Sequence, residues 1–364
     1  MIGGLLKTAL GLWGGVLLLP WQPWRNREVL EPEPDLPPLR HPDLTVLIPA
    51  RDEAAVIGRT LAALARQAEG LRVVVIDDQS EDGTAEVARQ VSGLKLKILK
   101  TPPLPLGWSG KLWALEQGLR QVATAWVLLL DADIELRPGM VAALWRKKEG
   151  LDLISIMARL PTETLWERLL IPPFVYFFKL LYPFRLANDP RFPRVAAAAG
   201  GCILVKRRAL LEVGAFQSLR DALIDDCELA ARVKRKGFRT WIGLSHGVVS
   251  QRSYGTLSSL WQMVARTAYT QLRYSPFLLL LCTTVMGVMF GVPLFGLLQN
   301  PPLAAATIGL MAASYLPTLA FYRLSPLWSL TLPLAGLLYL AMTWHSALRH
   351  LRGVKSVWKG RVYR

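Results

Sequence analysis

Three apolar stretches, each about twenty residues long, close the chain and restrict what it can fold into. They cover residues 277–298, 303–321 and 326–345, and none of them contains an acidic residue. A helix needs about 20 apolar residues to cross the ~30 Å hydrocarbon core of a bilayer. The sequence therefore predicts transmembrane or re-entrant helices over residues 276–346.

The beginning of the chain is apolar as well. Lys7 is the only charged residue before Pro20, and the first strongly basic residues, Arg25 and Arg27, come after it. A secretory signal has a basic start and a cleavage site of small residues, and neither is clear here. Residues 1–20 are therefore interpreted as a retained transmembrane anchor rather than a cleaved signal. Because basic residues favour the cytoplasmic side, the domain that follows is expected in the cytoplasm.

The basic residues at the other end leave the number of membrane crossings open. The tail, residues 347–364, contains six Lys and Arg and no acidic residue, so it is also expected in the cytoplasm. Three crossings from a cytoplasmic domain would place it outside. Either one apolar stretch is re-entrant or interfacial, or the tail departs from the rule. In both cases the sequence predicts a multi-pass protein of the cell (inner) membrane.

The composition limits the partners of the chain. Its 364 residues include 43 Lys and Arg against 27 Asp and Glu, a formal net charge of +16, and 52% are hydrophobic. On so apolar a chain, this excess of basic residues favours an anionic lipid surface over nucleic acid as the binding partner. Three Cys without short spacings exclude a disulfide scaffold and a zinc ribbon. Residues 21–43, rich in Pro, are predicted to form a stiff polar neck.

Between the apolar ends, short β-rich runs alternate with amphipathic helical ones. The predicted strands are 44–50, 72–78, 96–99, 126–133 and 151–157, and the helices between them are 54–67, 84–91, 111–121 and 138–148. Continuous apolar strands that alternate with helices indicate a mainly parallel sheet covered on both faces. Ligands of such sheets bind at the carboxyl ends of the strands. Polar clusters stand at those ends in this sequence.

A further apolar and aromatic segment covers residues 165–184 and contains Pro172, Pro173 and Pro183. One interpretation is a pair of core helices separated by the prolines. The other is an interfacial element that brings an active site to the bilayer. The sequence leaves both open.

Acidic residues follow three of the predicted strands. Asp131 and Asp133 come directly after an apolar run, where two carboxylates can share Mg²⁺ or Mn²⁺ and leave positions open for phosphate oxygens. Asp77 and Asp78 end another strand and can accept hydrogen bonds from a nucleotide. The cluster Arg51, Asp52 and Glu53 follows the first strand in the same way. Three such clusters at three strand ends are stronger evidence for a site than one.

Two helix starts add further chemistry. Lys111 begins a helix behind a Gly-containing turn, and helix-start amides together with a Lys suit a diphosphate. Asp225 and Asp226 open an amphipathic helix, where one carboxylate can act as a general base towards an acceptor hydroxyl. Neither a dinucleotide-binding glycine motif nor a P-loop is present.

Over about residues 44–275 these segments resemble family-two glycosyltransferases of the GT-A fold. VLIPARDEAAVI resembles the first strand motif of that family, with Asp-Glu for the commoner Asn-Glu, and VVVIDDQSEDGT resembles its nucleotide-binding aspartate motif. LLLDADIELRPG is similar to the metal-binding D-x-D motif, AGGCILVKRRALLEVGAF to the acceptor-side segment, and IDDCEL to the catalytic acid-Asp-x-x-Leu motif. PPLPLGWSGKLWALEQG and WQMVARTAYTQLRYS are similar to hopanoid-biosynthesis-associated membrane glycosyltransferases, and more distantly to ceramide glucosyltransferases.

The resemblance implies an α/β fold of the GT-A (Rossmann-like) type, with a mainly parallel sheet between an N-terminal transmembrane anchor and C-terminal transmembrane helices. It implies a metal-dependent, inverting transfer of a hexose from a nucleotide-sugar, expected to be a UDP-sugar, to a hydroxyl of a membrane lipid such as a hopanoid. The cytoplasmic domain is then the catalytic one, and Mg²⁺ or Mn²⁺ is its cofactor.

The same resemblance assigns roles to individual residues. The catalytic residues are Asp226, as base, and Asp225; the nucleotide-sugar-binding residues are Pro49, Arg51, Glu53, Asp77, Asp78, Lys111, Asp131, Gln262 and Arg266; the acceptor-side residues are Gly200 and Gly201; and the metal ligands are Asp131 and Asp133. Gln262 and Arg266 match the Q-x-x-R-W motif imperfectly, since they stand one residue too far apart and Thr267 replaces Trp.

Three alternatives remain at this stage. A polyprenyl-phosphate glycosyl synthase would transfer the sugar to a phosphate, which needs no strong base and leaves Asp225 and Asp226 without a clear task. A catalytically inactive lipid-binding relative would have no reason to retain every matched acidic position. A synthase that extrudes a polysaccharide would need more membrane helices and an intact Q-x-x-R-W motif.

Overall fold

The computed structural model of the chain describes residues 2–220, 224–354, 357–358 and 361–362. Up to residue 354 these form two compact units. The apolar unit comprises residues 2–27, 161–185 and 254–354, and the α/β unit comprises residues 28–160 and 186–253. The chain therefore passes between the two units several times.

The longer elements are numbered in chain order. The strands are β1 Leu44–Ala50, β2 Arg72–Asp77, β3 Lys95–Lys100, β4 Trp126–Leu130, β5 Ile134–Leu136, β6 Leu153–Arg159, β7 Cys202–Lys206 and β8 Thr240–Ser250. The helices are α1 Ile2–Leu18, α2 Ala54–Ala65, α3 Thr84–Arg89, α4 Gly110–Leu119, α5 Met140–Lys147, α6 Leu165–Leu181, α7 Phe184–Ala187, α8 Arg207–Glu212, α9 Asp225–Arg235, α10 Leu257–Ala265, α11 Ala268–Gln271, α12 Pro276–Met286, α13 Val292–Gly296, α14 Pro301–Tyr322 and α15 Leu332–Leu351. Two-residue strands pair Leu39–Arg40 with Ala68–Glu69 and Val357–Trp358 with Arg361–Val362.

The eight numbered strands of the described chain form one sheet, in the order β3-β2-β1-β4-β7-β6-β8-β5. Strand β1 is parallel to both of its neighbours, with Ile48 opposite Val75 of β2 and Leu47 opposite Leu129 of β4. The pairs β2–β3 and β6–β8 are also parallel, whereas β7 is antiparallel to β4 and β6, and β5 is antiparallel to β8. The predicted parallel sheet is thus confirmed for β1 to β4, and the remaining half is mixed.

All five predicted strands are present, as β1 to β4 and β6. The other three strands, β5, β7 and β8, are not predicted; β7, CILVK, has a short apolar run, whereas β5 and β8 have no clear pattern. β5 has only three residues, and the TWIGLSHGVVS of β8 interrupts its apolar residues with Gly, Ser and His. Without a continuous apolar run or strict alternation, neither strand has a clear sequence pattern.

The side chains of β1 alternate between two apolar cores, one on each face of the sheet. Val46 and Ile48 belong to the core that includes Leu61 of α2, and Leu47 belongs to the core that includes Leu115 of α4. Because successive side chains of a strand point to opposite faces, a wholly apolar strand is buried only when helices cover both faces. Charged side chains are therefore kept out of β1 and follow its end.

The second part of the predicted neck is joined to the sheet. The N–H of Leu30 donates a hydrogen bond to the carbonyl of Leu244 in β8 at 2.9 Å, and the N–H of Leu244 donates one to the carbonyl of Glu28 at 2.8 Å. Farther along, Gly139 has a φ of +82°, and a Cβ there would lie 2.3 Å from the carbonyl of Glu33. Residues 28–33 are thus part of the α/β unit, and only glycine fits beside them at position 139.

Within the described residues, three helical stretches of the apolar unit are long and apolar enough to cross a membrane: Pro276–Gly296, Pro301–Tyr322 and Pro326–Leu351. They confirm the predicted C-terminal apolar helices. Helix α1 has 17 residues, and one face of it, which includes Trp13, is buried. At 1.5 Å per residue it reaches about 25 Å, so its role as an anchor stays a prediction. The basic tail after Val354 lies largely outside the described residues.

The segment 165–184 contains one long helix, α6, which is not divided at Pro172 and Pro173, and Pro183 separates it from the one-turn helix α7. The helix continues through Pro172 and Pro173 and ends before Pro183. Two prolines inside a helix remove two backbone donors, so packing around α6 must compensate for the lost hydrogen bonds. The interfacial interpretation of this segment stays a prediction.

A buried carboxylate stabilises the start of α6. Glu167 and Thr164 form a capping box, in which the N–H of Thr164 donates to Glu167 Oε2 at 3.0 Å. The same oxygen accepts a hydrogen bond from the N–H of Glu163 at 3.0 Å, and Oε1 accepts one from the N–H of Tyr254 at 2.8 Å. These hydrogen bonds join two distant segments of the apolar unit. Because Glu167 is fully buried, water could not replace them if its carboxylate were removed.

Replacing Glu167 with Gln is expected to lower the stability of the apolar unit by about 1–3 kcal/mol, because one backbone donor loses its carboxylate acceptor in a buried place. The measurement is the thermal melting of the detergent-purified protein. The exposed Glu163→Gln variant serves as the control and should melt like the wild type. Equal melting of all three proteins would contradict the role given to Glu167.

Candidate active site

The candidate site lies at the carboxyl ends of β1, β2 and β4, where the sheet carries its polar residues. A pocket at this edge is lined by Pro49, Lys111, Asp131, Gly200, Asp225 and Asp226, together with apolar side chains. Five separate segments of the chain supply these six residues. The structure therefore brings six of the fourteen predicted site residues together in one place.

The start of α4 positions Lys111. Ser109 is the N-cap residue, and its side chain accepts a hydrogen bond from the N–H of Leu112 at 3.3 Å. Lys111 Nζ then lies 2.6 Å from Asp131 Oδ1, just beyond the end of β4. Burial works against the charge on Lys111, but the carboxylates of Asp131, Asp225 and Asp226 outweigh it and raise the pKa of the lysine. Lys111 therefore remains a cation at physiological pH.

The start of α9 positions Asp226. Its Oδ1 accepts a hydrogen bond from the N–H of Cys227 at 2.8 Å. Burial raises the pKa of Asp226, and the neighbouring carboxylate of Asp225 raises it further, to about 7. Hydrogen bonds and the charge of Lys111 act in the opposite direction but are weaker. A carboxyl group of this kind can take up and release a proton near neutral pH.

Gly200 marks the point at which the charged groups meet. A Cβ atom at this position would lie 3.3 Å from Lys111 Nζ and 3.4 Å from Asp226 Oδ2. The lysine cation and the carboxylate thus border the same small space, which the absence of a side chain keeps open. Gly201 plays a different part: its carbonyl accepts a hydrogen bond from the N–H of Asp131 at 3.0 Å, and a Cβ there would meet Ile134.

The carboxylate of Asp133 contacts two residues at the end of β8, Ser250 and Arg252. Its Oδ2 lies 3.2 Å from Arg252 Nε and accepts a hydrogen bond from Ser250 Oγ at 3.2 Å. Arg252 Nη2 also lies 3.0 Å from Glu53 Oε1. Each aspartate of the pair therefore has its own cation, Lys111 for Asp131 and Arg252 for Asp133.

The loops after β1 and β2 are hydrogen-bonded to each other. Arg51 Nη1 donates to the carbonyl of Asp78 at 2.7 Å, and the N–H of Asp52 donates to Ser80 Oγ at 3.0 Å. Asp52 and Gln79 have φ angles of 51° and 60°, which non-glycine residues seldom adopt. Such strain persists only where the surroundings impose it, and it is common at binding sites.

The predicted nucleotide-binding aspartates lie in this loop region. Asp77 Oδ1 accepts a hydrogen bond from the N–H of Ser80 at 3.0 Å, and Asp78 Oδ1 accepts one from Thr101 Oγ1 at 3.0 Å. Both side chains are buried. They stabilise the loops here, and their contact with a nucleotide stays a prediction.

The donor set at the D-x-D turn fits a divalent cation that is shared with a phosphate ligand. In the described part of the chain, no group of three or more His, Cys, Asp and Glu could hold a metal ion by itself. Mg²⁺ in nucleotide sites is commonly bound by only one or two carboxylates, with phosphate oxygens and water completing its shell. Asp131 and Asp133, two residues apart in one turn, supply that number.

Gln262 and Arg266 belong to the apolar unit. Gln262 lies in α10 and Arg266 is its C-cap residue, and both side chains are exposed. The indole N–H of Trp261 in α10 donates to His345 Nδ1 of α15 at 2.6 Å, so α10 is attached to a helix of the same unit. A contact of Gln262 or Arg266 with a diphosphate stays a prediction.

Arg252 and Ser250 are the site residues that sequence reasoning missed. Both stand at the end of β8, a strand without a clear sequence pattern, so the rule that polar residues collect at strand ends could not be applied to them. Recognising β8 would have supplied that signal. The cysteines are free; Cys202 and Cys227 are buried and Cys282 is half-buried, and burial raises the pKa of the Cys202 thiol to about 12.

Comparison with known proteins identifies the family. The sequence profile of glycosyltransferase-like family 2 matches residues 41–270, which is more than half of the chain. The protein belongs to this family.

Two curated relatives show more limited similarity. A 4,4'-diaponeurosporenoate glycosyltransferase of Staphylococcus haemolyticus is 33% identical over 93 residues, which are 26% of this chain and 24% of the relative. One of Staphylococcus aureus is 34% identical over 105 residues, 29% of this chain and 28% of the relative. The chain thus matches only about a quarter of the length of these relatives.

A solved structure supports the fold over almost the whole chain. A mannosyltransferase from Pyrobaculum calidifontis, in complex with GDP-Man and Mn²⁺, is 21% identical and superposes with a TM-score of 0.56. The match covers 96% of this chain and 99% of the other. The α/β unit therefore has the GT-A fold that the sequence predicted.

The raised pKa of Asp226 predicts a pH-dependent effect on stability. The folded protein holds the proton of Asp226 more tightly than the unfolded chain does, so stability is lost as the pH rises towards 7. Asp226→Asn, which stays neutral, is expected to melt at a higher temperature than the wild type at pH 8. The gain should shrink towards pH 5.

Asp152→Asn provides the matched control. Asp152 Oδ1 lies 2.7 Å from Lys206 Nζ, and its Oδ2 accepts a hydrogen bond from the N–H of Arg239 at 2.8 Å, so this substitution should lower the melting temperature. Destabilisation by both substitutions at pH 8 would contradict the unfavourable ionisation assigned to Asp226.

Proposed function

We propose that the protein is an inverting glycosyltransferase that moves a sugar from a nucleotide-sugar to a hydroxyl group of a membrane lipid. The observation that carries this proposal is the meeting of Lys111, Asp131 and Asp226 around Gly200. Lys111 is a cation that suits a departing diphosphate, and Asp226 is a carboxylate that suits an incoming hydroxyl. Both border the same space. Membership of the family, and the similarity to a mannosyltransferase solved with GDP-Man, support the same reaction class.

Lys111 acts on the leaving-group side. The first N–H groups of a helix such as α4 have no acceptor within the helix, and a helix start favours anions such as a diphosphate. As the bond between the sugar and the diphosphate breaks, negative charge develops on the leaving oxygen. A fixed ammonium group stabilises that charge more in the transition state than in the ground state.

Asp226 acts on the acceptor side. The lipid hydroxyl oxygen attacks the anomeric carbon from the face opposite the diphosphate, the carbon–oxygen bond to the diphosphate breaks, and the hydroxyl proton passes to the Asp226 carboxylate. With its pKa raised to about 7, this carboxylate is a better base than an ordinary Asp and is still largely ionised above neutral pH. Attack from the opposite face inverts the anomeric configuration.

The base also favours a hydroxyl acceptor. A phosphate or carboxylate acceptor is already ionised and has no proton to lose, so a polyprenyl-phosphate synthase would not use Asp226. The curated relatives are named for 4,4'-diaponeurosporenoate, a carboxylate, which makes acceptor class the main question for experiment. Among lipid alcohols we propose a hopanoid, on the sequence resemblance described above.

Asp131 and Asp133 are the residues that would hold Mg²⁺ or Mn²⁺. When bound, a divalent cation neutralises the diphosphate and makes it a better leaving group. The metal and a UDP-sugar donor are parts of the proposal, as is the position of the α/β unit in the cytoplasm of a cell whose inner membrane holds the three apolar helices.

The donor class is tested by calorimetry of UDP and GDP binding to the detergent-purified protein, with Mn²⁺ or with EDTA. Binding is expected to need both the metal and Asp133, so Asp133→Ala should weaken it more than tenfold. Asp35→Ala removes an exposed carboxylate and should bind like the wild type. If neither nucleotide binds to folded protein, the proposed donor class is wrong.

The role of the base is tested by transfer assays with a radiolabelled sugar donor. Asp226→Asn is expected to reduce transfer to lipid alcohols more than 100-fold while nucleotide affinity stays within about twofold, because the proton acceptor is lost and the diphosphate site is kept. Asp225→Asn should retain measurable transfer. Full activity of Asp226→Asn, or transfer only to polyprenyl phosphate or lipid carboxylates, would contradict the assignment.

A further inference from the structure

Arg252 lies between two carboxylates in the α/β unit. Its Nη2 is 3.0 Å from Glu53 Oε1, and its Nε is 3.2 Å from Asp133 Oδ2. The side chains of Glu53 and Asp133 are only 11% and 14% exposed, whereas that of Arg252 is 36% exposed. The guanidinium group therefore covers two shielded carboxylates from the side that faces solvent.

The end of β8 supports this arrangement with further hydrogen bonds. Ser250 Oγ donates to Asp133 Oδ2 and accepts a hydrogen bond from the N–H of Arg252, both at 3.2 Å. The N–H of Gln251 donates to the carbonyl of Asp133 at 2.7 Å. Three consecutive residues thus contact Asp133, and they fix where the guanidinium group of Arg252 can lie.

A shielded carboxylate is costly without a counter-charge. Asp131 receives its counter-charge from Lys111, and Asp133 receives its own from Arg252. Arg252 and Ser250 already engage one of the two carboxylate oxygens of Asp133, and the positive charge of Arg252 would repel a divalent cation bound to the same carboxylate. Cation binding and the Arg252 contact are therefore in competition.

We propose that Arg252 is a placeholder cation, which neutralises Asp133 while no metal is bound and lowers the affinity of the empty site for metal. Glu53 acts through Arg252 as a positioning residue, since its carboxylate keeps the guanidinium group beside the site after Asp133 is taken by the metal. The proposal rests on the proposed function, because it takes Asp133 as a metal ligand.

The test measures Mn²⁺ binding to the full-length, detergent-purified protein by electron paramagnetic resonance of free Mn²⁺, without nucleotide and with UDP. Without nucleotide, Arg252→Gln is expected to bind Mn²⁺ about two- to fivefold more tightly than the wild type, in keeping with the loss of a partly exposed ion pair. Damage to the fold would weaken binding, so a gain in affinity identifies competition. Arg252→Lys, which keeps the charge but not the fork geometry, should give a smaller gain.

Arg137→Gln is the matched control. It removes the same charge four residues from Asp133 in sequence, but Arg137 pairs only weakly with Glu135, at 3.9 Å. Its Mn²⁺ affinity should equal that of the wild type. An equal gain in this variant would mean a general charge effect and would overturn the proposal.

The outcomes separate this inference from the proposed function. If Asp133→Ala loses Mn²⁺ binding but Arg252→Gln and Arg252→Lys bind no more tightly than the wild type, the role of Arg252 is wrong and the metal site stands. If the wild type binds no Mn²⁺ even with UDP, the metal site of the proposed function fails, and the placeholder role fails with it.

Discussion

The attraction between one ammonium group and the carboxylates around it is the interaction on which the site depends. Lys111 is 2.6 Å from Asp131 and also feels the charges of Asp225 and Asp226. Without this cation, three carboxylates in a half-buried pocket would repel one another and would take up protons. Burial raises the pKa of Asp131 and Lys111 opposes that rise, while the pKa of Asp226 is raised to about 7.

The sheet determines where such a cluster can form. β1 and β4 are buried on both faces, so no polar side chain can stand in their middle. Charged residues can follow these strands only at their ends, and in parallel strands the carboxyl ends share one edge. The antiparallel strand β7 adds to the same edge from the other direction, because Gly200 and Gly201 directly precede it. A mixed sheet thus brings Gly200 and Gly201 to an edge where a fully parallel sheet would not place the residues that precede a strand.

Sequence reasoning reached a good part of the site but not its pairings. Asp131, Asp133, Lys111 and Asp226 each stand in a local pattern, either a strand end or a helix start, which can be recognised without knowing the fold. The ion pairs among them are not local. Arg252 meets Glu53 across 199 residues of sequence, and no spacing rule connects the two. The structure adds a separate basic partner for each of Asp131 and Asp133, and their shared binding of a divalent cation stays a prediction.

The α6 segment gives the same lesson for the apolar unit. Its prolines suggested a broken helix, but a capped helix continues through Pro172 and Pro173 because tertiary contacts, including those of Glu167, outweigh the local cost. In the α/β unit, β8 escaped prediction because its Gly, Ser and His residues hide the apolar pattern. Both departures have one cause: packing against distant residues overrides weak local preferences.

By itself, the sequence determined the α/β class, the positions of β1 to β4 along the chain, the three apolar helices near the end of the chain and the residue types of the site. These depend on periodicity, run length and local capping, which act between residues a few positions apart. Only the tertiary structure decided which side chains meet: Lys111 with Asp131, Arg252 with Asp133 and Glu53, and Asp226 beside Gly200. Those contacts join strands and helices far apart in the chain, and electrostatic attraction over a few ångströms depends on position in space and not on position in sequence.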